Sequence, residues 1–376
     1  MGLIKQRLGK FIERVERRNI DLKFSAVDVR GVSNGKEIQP TKADISDRSF
    51  SRFQIVEPHE FVFNRRTTRM GEKLGLGYNN ISEIFIVTED YVVFRVADER
   101  ILLPDYLNIF FRRPEFDRYA RWDSWGSATE FFNWEEMCDV PIALPSLSIQ
   151  QKYANVYNAI LANQRAYESS MKDLNVAIAA ITEEFKHTAP RVAIAKLLEE
   201  TDVRNRNGEI TNVQGVNINK EFMPSVANLS TTDLTKYKVI RKNQFAANFM
   251  HVMRDEKIPL GLYHEDEPCI VSPAYPIFNI KFDGALAEYV MLWLNRAEID
   301  RHAWFISDSS VRGGLEMDRF YEIEIPLPSL LQQQAVVNFY NARHLIQRNI
   351  TKLTEMLKDI CPILIKGSLE EAEAVA

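Results

Sequence analysis

The side chains best suited to chemistry in this sequence are cations and amides, grouped in a way that favours binding over catalysis. Asn64, Arg65, Arg66, Arg69 and Lys73 follow directly on the apolar run FVFN at 61–64. Arginine can bond guanine through two N–H groups, asparagine can do the same with adenine, and lysine or arginine can position phosphate. Asn248, His251, Arg254 and Lys257 hold the corresponding place after FAAN at 245–248, with different side chains. A second set is Trp125, Ser127 and Thr129, matched by Ser309, Ser310 and Arg312; small hydroxyl residues near glycine suit close approach to a phosphate. A third is Asn34 and Lys36, with Asn217, Asn219 and Lys220. Ordinary solvated loops and turns have the same composition.

Motifs that would make or break bonds are missing. There is no Walker A sequence, no Gly-x-Ser-x-Gly elbow and no His-Glu-x-x-His. His59 and Glu60 are adjacent without a second histidine in helical register, and Gly75-Leu76-Gly77 reads as a turn. No Pro-Pro pair occurs, so the Asn/Asp-Pro-Pro-aromatic signature of an amino-methyltransferase is absent. Glu184-Phe185-Lys186 has a nuclease-like spacing but falls in a predicted long helix. Cys138, Cys269 and Cys361 are too scattered for a disulfide framework or a zinc site. The expectation is a chain with no catalytic residue, metal or cofactor of its own.

The elements that position these residues come in two copies. IALPSLSIQQ (142–151) returns as IPLPSLLQQQ (325–334) with seven of ten positions identical. LGKFIE (8–13) returns as IAKLLE (194–199), VRGV as VQGV, RFQIV as KYKVI, and RRPEFDR (112–118) as NRAEIDR (295–301). The offset stays between 183 and 186 along the chain. At 376 residues there is room for two domains and connecting helices.

Net charge is −5, but each copy divides into a basic and an acidic half. Residues 1–78 carry +6 and 79–139 carry −7; 191–263 carry +3 and 264–326 carry −7. One face for phosphates and another for a partner protein would account for this, as would mixed-charge surfaces. The first 18 residues have no signal-peptide core, Gln6 stands where a myristoylation signal needs Ser or Thr, and no apolar run approaches the roughly 18 residues of a membrane span. A reducing cytoplasm, without a membrane, is the simplest home.

Each copy is expected to open with a short amphipathic helix, Ile4, Leu8, Phe11, Ile12 and Val15 in the first, followed by strands at 52–56, 61–63, 84–87 and 91–96 and a helix from Pro104. The pattern is α+β without a βαβ alternation. Two helices of about 35 residues follow. One carries a seam of Tyr153, Val156, Ile160, Gln164, Tyr167, Met171, Leu174, Ile178, Ile181 and Phe185, the other of Val336, Phe339, Arg343, Ile346, Ile350, Leu353, Leu357, Ile360 and Leu364. Steps of three and four predict an antiparallel coiled-coil pair. Ser148 with Gln151 and Ser329 with Gln332 predict capping boxes, and Pro362 a late stop. The expected divisions are domains at 1–145 and 188–328, long helices at 146–187 and 329–366, and a tail at 367–376.

With the segments LPSL…QQ at 144–151 and 327–334 in place, the chain resembles the specificity subunit of type I restriction-modification systems, which has two target-recognition domains, each followed by a long helix introduced by such a segment. IVSPAYPIF (270–278) also looks like a strand region of those domains; its first-copy equivalent, IVTEDYVVF, lacks both prolines. The resemblance implies a non-catalytic reader of double-stranded DNA that takes one half of a bipartite asymmetric site with each domain. It further implies two methyltransferase subunits and restriction/translocase subunits as partners, which would bind S-adenosylmethionine, ATP and Mg, with the helical pair as the ruler between half-sites. Other classes that fit the residues are a coiled-coil scaffold without DNA readout, a DNA-binding subunit of another phage-defence system, and a nuclease with a degenerate centre.

Overall fold

One helix of 42 residues runs from Leu147 to Thr188 and another of 46 from Leu330 to Val375 in the computed structural model, which describes residues 4–41, 43–45, 47–66, 73–124, 130–225, 232–250, 252–307 and 314–375. At 1.5 Å per residue they are about 63 and 69 Å long. Among the described residues no helix is long and apolar enough to cross a membrane. The chain folds as two units, residues 1–167 with 349–376 and residues 168–348, and each takes part of both long helices.

Both units use the same plan. The first copy contributes helices α1 (Pro104–Phe111), α2 (Pro114–Trp122), α3 (Trp134–Asp139) and the long α4 (Leu147–Thr188). The second contributes α5 (Ile194–Leu197), α6 (Val252–Asp255), α7 (Ala287–Leu294), α8 (Ala297–Ile306), α9 (Met317–Glu322) and the long α10 (Leu330–Val375). A four-stranded antiparallel sheet in the first copy runs in the order Ile12–Val15, Tyr91–Val96, Phe61–Asn64, Leu76–Tyr78. Its counterpart runs Leu198–Thr201, Ile277–Ile280, Phe245–Ala247, Leu260–Leu262. Each copy adds a hairpin, Arg30–Val32 with Ile38–Pro40 and Gln214–Val216 with Phe222–Pro224, and a two-stranded pair, Gln54–Val56 with Phe85–Val87 and Lys238–Ile240 with Cys269–Val271. The α+β expectation with two repeated domains is borne out.

The first-copy core is aromatic. Phe61 stacks on Phe94 at 5.1 Å, and Phe111 meets both edge-on at 5.6 and 6.0 Å. All three are fully buried, each worth about 2–3 kcal/mol. In the second copy the corresponding layer is Phe245, Phe278 and Leu294.

Three expectations about the opening segment, a turn and a helix cap change first. The predicted opening helix is instead a strand at Gln6–Arg7, a single 3-10 turn at Leu8–Lys10 and a strand at Ile12–Val15. The backbone there finds partners in other strands, Gln6 opposite Ile142 and Ile12 opposite Val96, while Ile4 stays 81% exposed. Gly77 lies inside a strand and not in a turn; a Cβ there would stand 2.7 Å from Ile38 Cγ1, so the hairpin packs against the sheet only over glycine. The cap of α4 is Ser146 by position, since Ser148 is already helical and bonds Ser146 Oγ at 3.0 Å. At Ser329 the expected bond is present, its N–H donating to Gln332 Oε1 at 3.2 Å.

Pro362 lies within α10, and the predicted tail at 367–376 is helical to Val375. Leu364, Ile365, Ser368 and Ala372 are buried beyond the proline, and that burial outweighs the ~3 kcal/mol that an interior proline costs. Replacing Pro362 by alanine is therefore expected to stabilise its unit by about 1–3 kcal/mol. Urea unfolding would register this as a raised midpoint at unchanged slope.

The long helices pack antiparallel. In the first unit Tyr153 Oη donates to Glu371 at 3.1 Å and Gln164 Nε2 to Thr354 Oγ1 at 3.0 Å, so numbers fall along α10 as they rise along α4. In the second, Ile181 and Phe185 share a core with Val336, Val337 and Tyr340. Tyr157 replaces Val156 in the α4 seam: it is 2% exposed against 43%. With that change the seam steps by four and three without interruption from Tyr153 to Phe185, the 3.5-residue period of a coiled coil. Tyr340 replaces Phe339 for the same reason, its hydroxyl accepting from Asn295 Nδ2 at 3.0 Å.

Candidate nucleic-acid interface

Described residues from or beside the three first-copy stretches meet around the connection that follows Asn64. Residues 65–75 join the strands Phe61–Asn64 and Leu76–Tyr78, which pair antiparallel. The Asn64 N–H donates to Gly75 O at 2.8 Å and closes the loop at its base, while Asn64 Oδ1 accepts from the Arg66 N–H at 3.0 Å. Arg65 O accepts from the Phe132 N–H at 2.8 Å, so the flank of the 125–129 stretch lies along Arg65 and Arg66. Phe132 is itself fixed by burial against Phe63 and Phe116.

The hairpin carrying Asn34 and Lys36 holds the other end. Lys36 Nζ donates to Asp117 Oδ1 at 2.6 Å and to Leu74 O at 3.1 Å, and the Leu74 N–H donates to the same carboxylate at 3.1 Å. Both polar groups of Leu74, the residue after Lys73, are thus gripped by one ion pair. The side chains of Lys36 and Asp117 are only 5% and 9% exposed. Burial lowers the Lys36 pKa, and Asp117 opposes the shift. Lys36 also sits at φ +62°, a left-handed conformation costing about 1–2 kcal/mol for a residue with a Cβ.

The second copy repeats this arrangement. Asn248 bonds Pro259 O through its N–H at 2.7 Å and accepts from Met250 N–H at 3.1 Å. Leu315 N–H donates to Phe249 O at 3.0 Å, and Gly314 comes so close to that carbonyl that a Cβ would stand 2.8 Å away. Lys220, at φ +66°, pairs with Asp300 at 2.8 Å, and the same carboxylate takes the Ile258 N–H at 3.0 Å. Lys220 Nζ also reaches Leu294 O, and burial lowers its pKa.

Lys36 and Lys220 are therefore corrected from candidate phosphate ligands to internal clamps: their ammonium groups are buried and already bonded. Asn34 remains exposed at its hairpin tip, whereas Asn217 Oδ1 is engaged by the N–H groups of Asn219 and Glu221 at 2.8 and 3.1 Å. Arg65 and Arg66 are half-buried, and Lys73, Arg254 and Lys257 are exposed. Arg66 lies 3.9 Å from Asp90, and Arg254 forks onto Asp255 at 2.7 and 3.0 Å. Partly exposed pairs of this kind are worth about 0–1 kcal/mol, so a phosphate could displace them. Arg69, Trp125, Ser127, Thr129, His251, Ser309, Ser310 and Arg312 lie outside the described residues.

Asp117 and Asp300 were not among the candidates, although both stand at the same place in the matched heptapeptides, 183 residues apart, as the two lysines stand 184 apart. Their signal was the retention of both charges in both copies. Glu60, adjacent to His59, is buried and takes Arg17 at 3.2 and 3.3 Å. Among the described residues no group of His, Cys, Asp or Glu is placed to hold a metal ion.

The repeated glutamines do a different job. Gln150 is completely buried; it accepts from the Leu103 N–H at 2.9 Å and donates to Ile101 O and Pro145 O, both at 2.9 Å. Gln333 accepts from the Leu286 N–H at 3.0 Å and donates to Gly284 O and Pro328 O, both at 2.8 Å. Leu103 and Leu286 are the N-cap residues of α1 and α7. The segment that starts each long helix thereby pins it to its own domain.

No protein-family model and no curated protein sequence matches the chain. Solved structures do. The crystal structure of a type I restriction-modification system S subunit from M. genitalium aligns with a TM-score of 0.58 at 9% identity, over 99% of this chain and 96% of that one. A chain from a study of complex assembly and conformational transition of the type I R-M system aligns at 0.41 and 13%, over 99% and 97%. The HsdS subunit from Thermoanaerobacter tengcongensis aligns at 0.38 and 14%, over 98% and 96%. The chain has the S-subunit fold along its whole length.

Proposed function

We propose that this chain is the DNA-reading specificity subunit of a type I restriction-modification complex. Each unit reads one half of a bipartite asymmetric site, and the chain docks two methyltransferase subunits and, with them, the restriction subunits. Methyl transfer, ATP-driven translocation and cleavage belong to those partners, together with S-adenosylmethionine, ATP and Mg. The observation that carries the reading is that, in each unit, described residues of three chain segments meet at the base of one loop. The clamp on that loop is the same in both copies, Lys with Asp, while the residues of the loop differ in sequence. Two readers of different sequences need that combination, and the shared S-subunit fold supports it.

The experiment is methylation mapping in cells carrying the chain with its methyltransferase. A split asymmetric motif is expected; a continuous motif, or none, would refute the proposal. Replacing Arg65 and Arg66 by alanine should weaken DNA binding about tenfold or more and flatten its salt dependence, while the methyltransferase stays bound. Loss of the methyltransferase along with DNA would mean that these arginines belong to a structural element and not to a reader.

A further inference from the structure

We propose that Trp122 and Phe305 are apolar wedges that press into the base stack of duplex DNA beside the two half-sites. The inference rests on the DNA-reading role proposed above. Trp122 ends α2 and is 79% exposed; Phe305 stands in the last turn of α8 and is 80% exposed. They occupy the same repeat position, 183 residues apart. Leaving such a side chain in water forfeits about 2–3 kcal/mol of burial. One exposed aromatic needs no explanation, but two at equivalent places do.

Their surroundings point to nucleic acid. Exposed Arg118 stands four residues before Trp122 and exposed Arg301 four before Phe305, so each aromatic shares a helix face with a guanidinium. Arg121 and His302 add to the exposed surface of the same two helices, and half-exposed Trp304 widens the second wedge. Neighbouring described carboxylates are partnered: Asp123, next to Trp122, with the Tyr119 hydroxyl, Glu115 with Arg118 at 3.3 Å, and Glu298 with Arg296 at 2.9 Å. An apolar tip flanked by cations suits a base step between phosphates.

Position in the chain gives the same answer. Shortly after Trp122 comes the 125–129 stretch, which leads to Phe131 and Phe132 against Arg65 and Arg66; after Phe305 the chain leads to Leu315 against Phe249. Each wedge also stands at the end of the helix whose Asp117 or Asp300 grips the base of the loop in its own unit. The two also differ, Trp against Phe, and Tyr119 against His302 one turn earlier, as the loop contents differ. A face for a common protein partner would keep one set of side chains, as the Lys-Asp clamps and buried glutamines do.

The test uses the full chain assembled with its methyltransferase and a duplex carrying the mapped motif, with 2-aminopurine placed in turn at each step of one half-site. Wild type should raise fluorescence at a step bordering the first half-site. Trp122→Ala should abolish that rise and weaken binding about tenfold, the effect of losing one base–aromatic stack, while Trp122→Phe keeps most of both. Phe305→Ala should act on the second half-site alone. Unchanged affinity and fluorescence in both alanine variants would remove the wedges and leave the reading role standing. Loss of the methyltransferase in those variants, with DNA binding retained, would assign the faces to the protein partner and overturn the proposal. Absence of duplex binding by wild type would sink the reading role itself.

Discussion

Replacing Asp117 by alanine should destabilise the first unit by about 3–5 kcal/mol, the typical cost of leaving one member of a buried ion pair alone. The Lys36 ammonium would remain enclosed without its counter-charge, and the Leu74 N–H would lose its acceptor. For a unit of this size the thermal transition should fall by roughly 6–20 °C. Asp300→Ala should do the same to the second unit, because Lys220 and Ile258 depend on that carboxylate in the same way. A double replacement, Lys36→Met with Asp117→Leu, should cost less than Asp117→Leu alone, since no charge is then left buried. If the double variant is the worse of the two, the pair is not what holds Leu74. A functional consequence follows from the loop's anchorage. Asp117→Asn should blur recognition at one half-site and Asp300→Asn at the other, readable as relaxed positions in the methylation motif.

Replacing Gln333 by alanine should cost about 3–9 kcal/mol, because one N–H and two carbonyls lose their partner at about 1–3 kcal/mol each. The first of these is the N-cap N–H of α7 and the last is the carbonyl of Pro328, so the substitution detaches the start of α10 from its domain. Gln333→Glu separates geometry from size. It keeps the shape but turns a donor into an acceptor facing Gly284 O and Pro328 O, and should be as damaging as alanine. Calorimetry of either variant decides this, and a change below about 1 kcal/mol would show that water replaces the amide. Gln150→Ala predicts the same loss in the first unit, where the three bonds are 2.9 Å each.

Much of this frame was legible in the sequence. Repetition revealed the two copies, and the LPSL…QQ segment marked the start of each long helix. The strands at Phe61–Asn64 and Tyr91–Val96 followed from aromatic and β-branched runs. The helical seam was off by one residue at Val156 and Phe339, because both neighbours are apolar or aromatic and periodicity alone does not choose between them. What chooses is contact with the domain, Arg112 over the Tyr157 ring at 6.0 Å and Asn295 on Tyr340. The opening segment misled for a related reason. Ile4, Leu8, Phe11, Ile12 and Val15 have helical spacing, yet their backbone is satisfied by strands some 80 to 135 residues away.

By itself, then, the sequence determined the duplication, the α+β character and the two long helices, since repeats and periods of three and four are written along the chain. The tertiary structure alone decided what the candidate residues do. Lysine at 36 or 220 reads the same on paper whether it faces water or a carboxylate. Only folding brings Asp117 to 2.6 Å from Lys36 and Asp300 to 2.8 Å from Lys220, and removes the solvent that would have kept those lysines at the surface. The meeting of Lys36 and Asp117 with Leu74, and of Phe132 with Arg65, is of the same kind, because hydrogen bonds between residues so far apart leave no periodic trace in the chain that makes them.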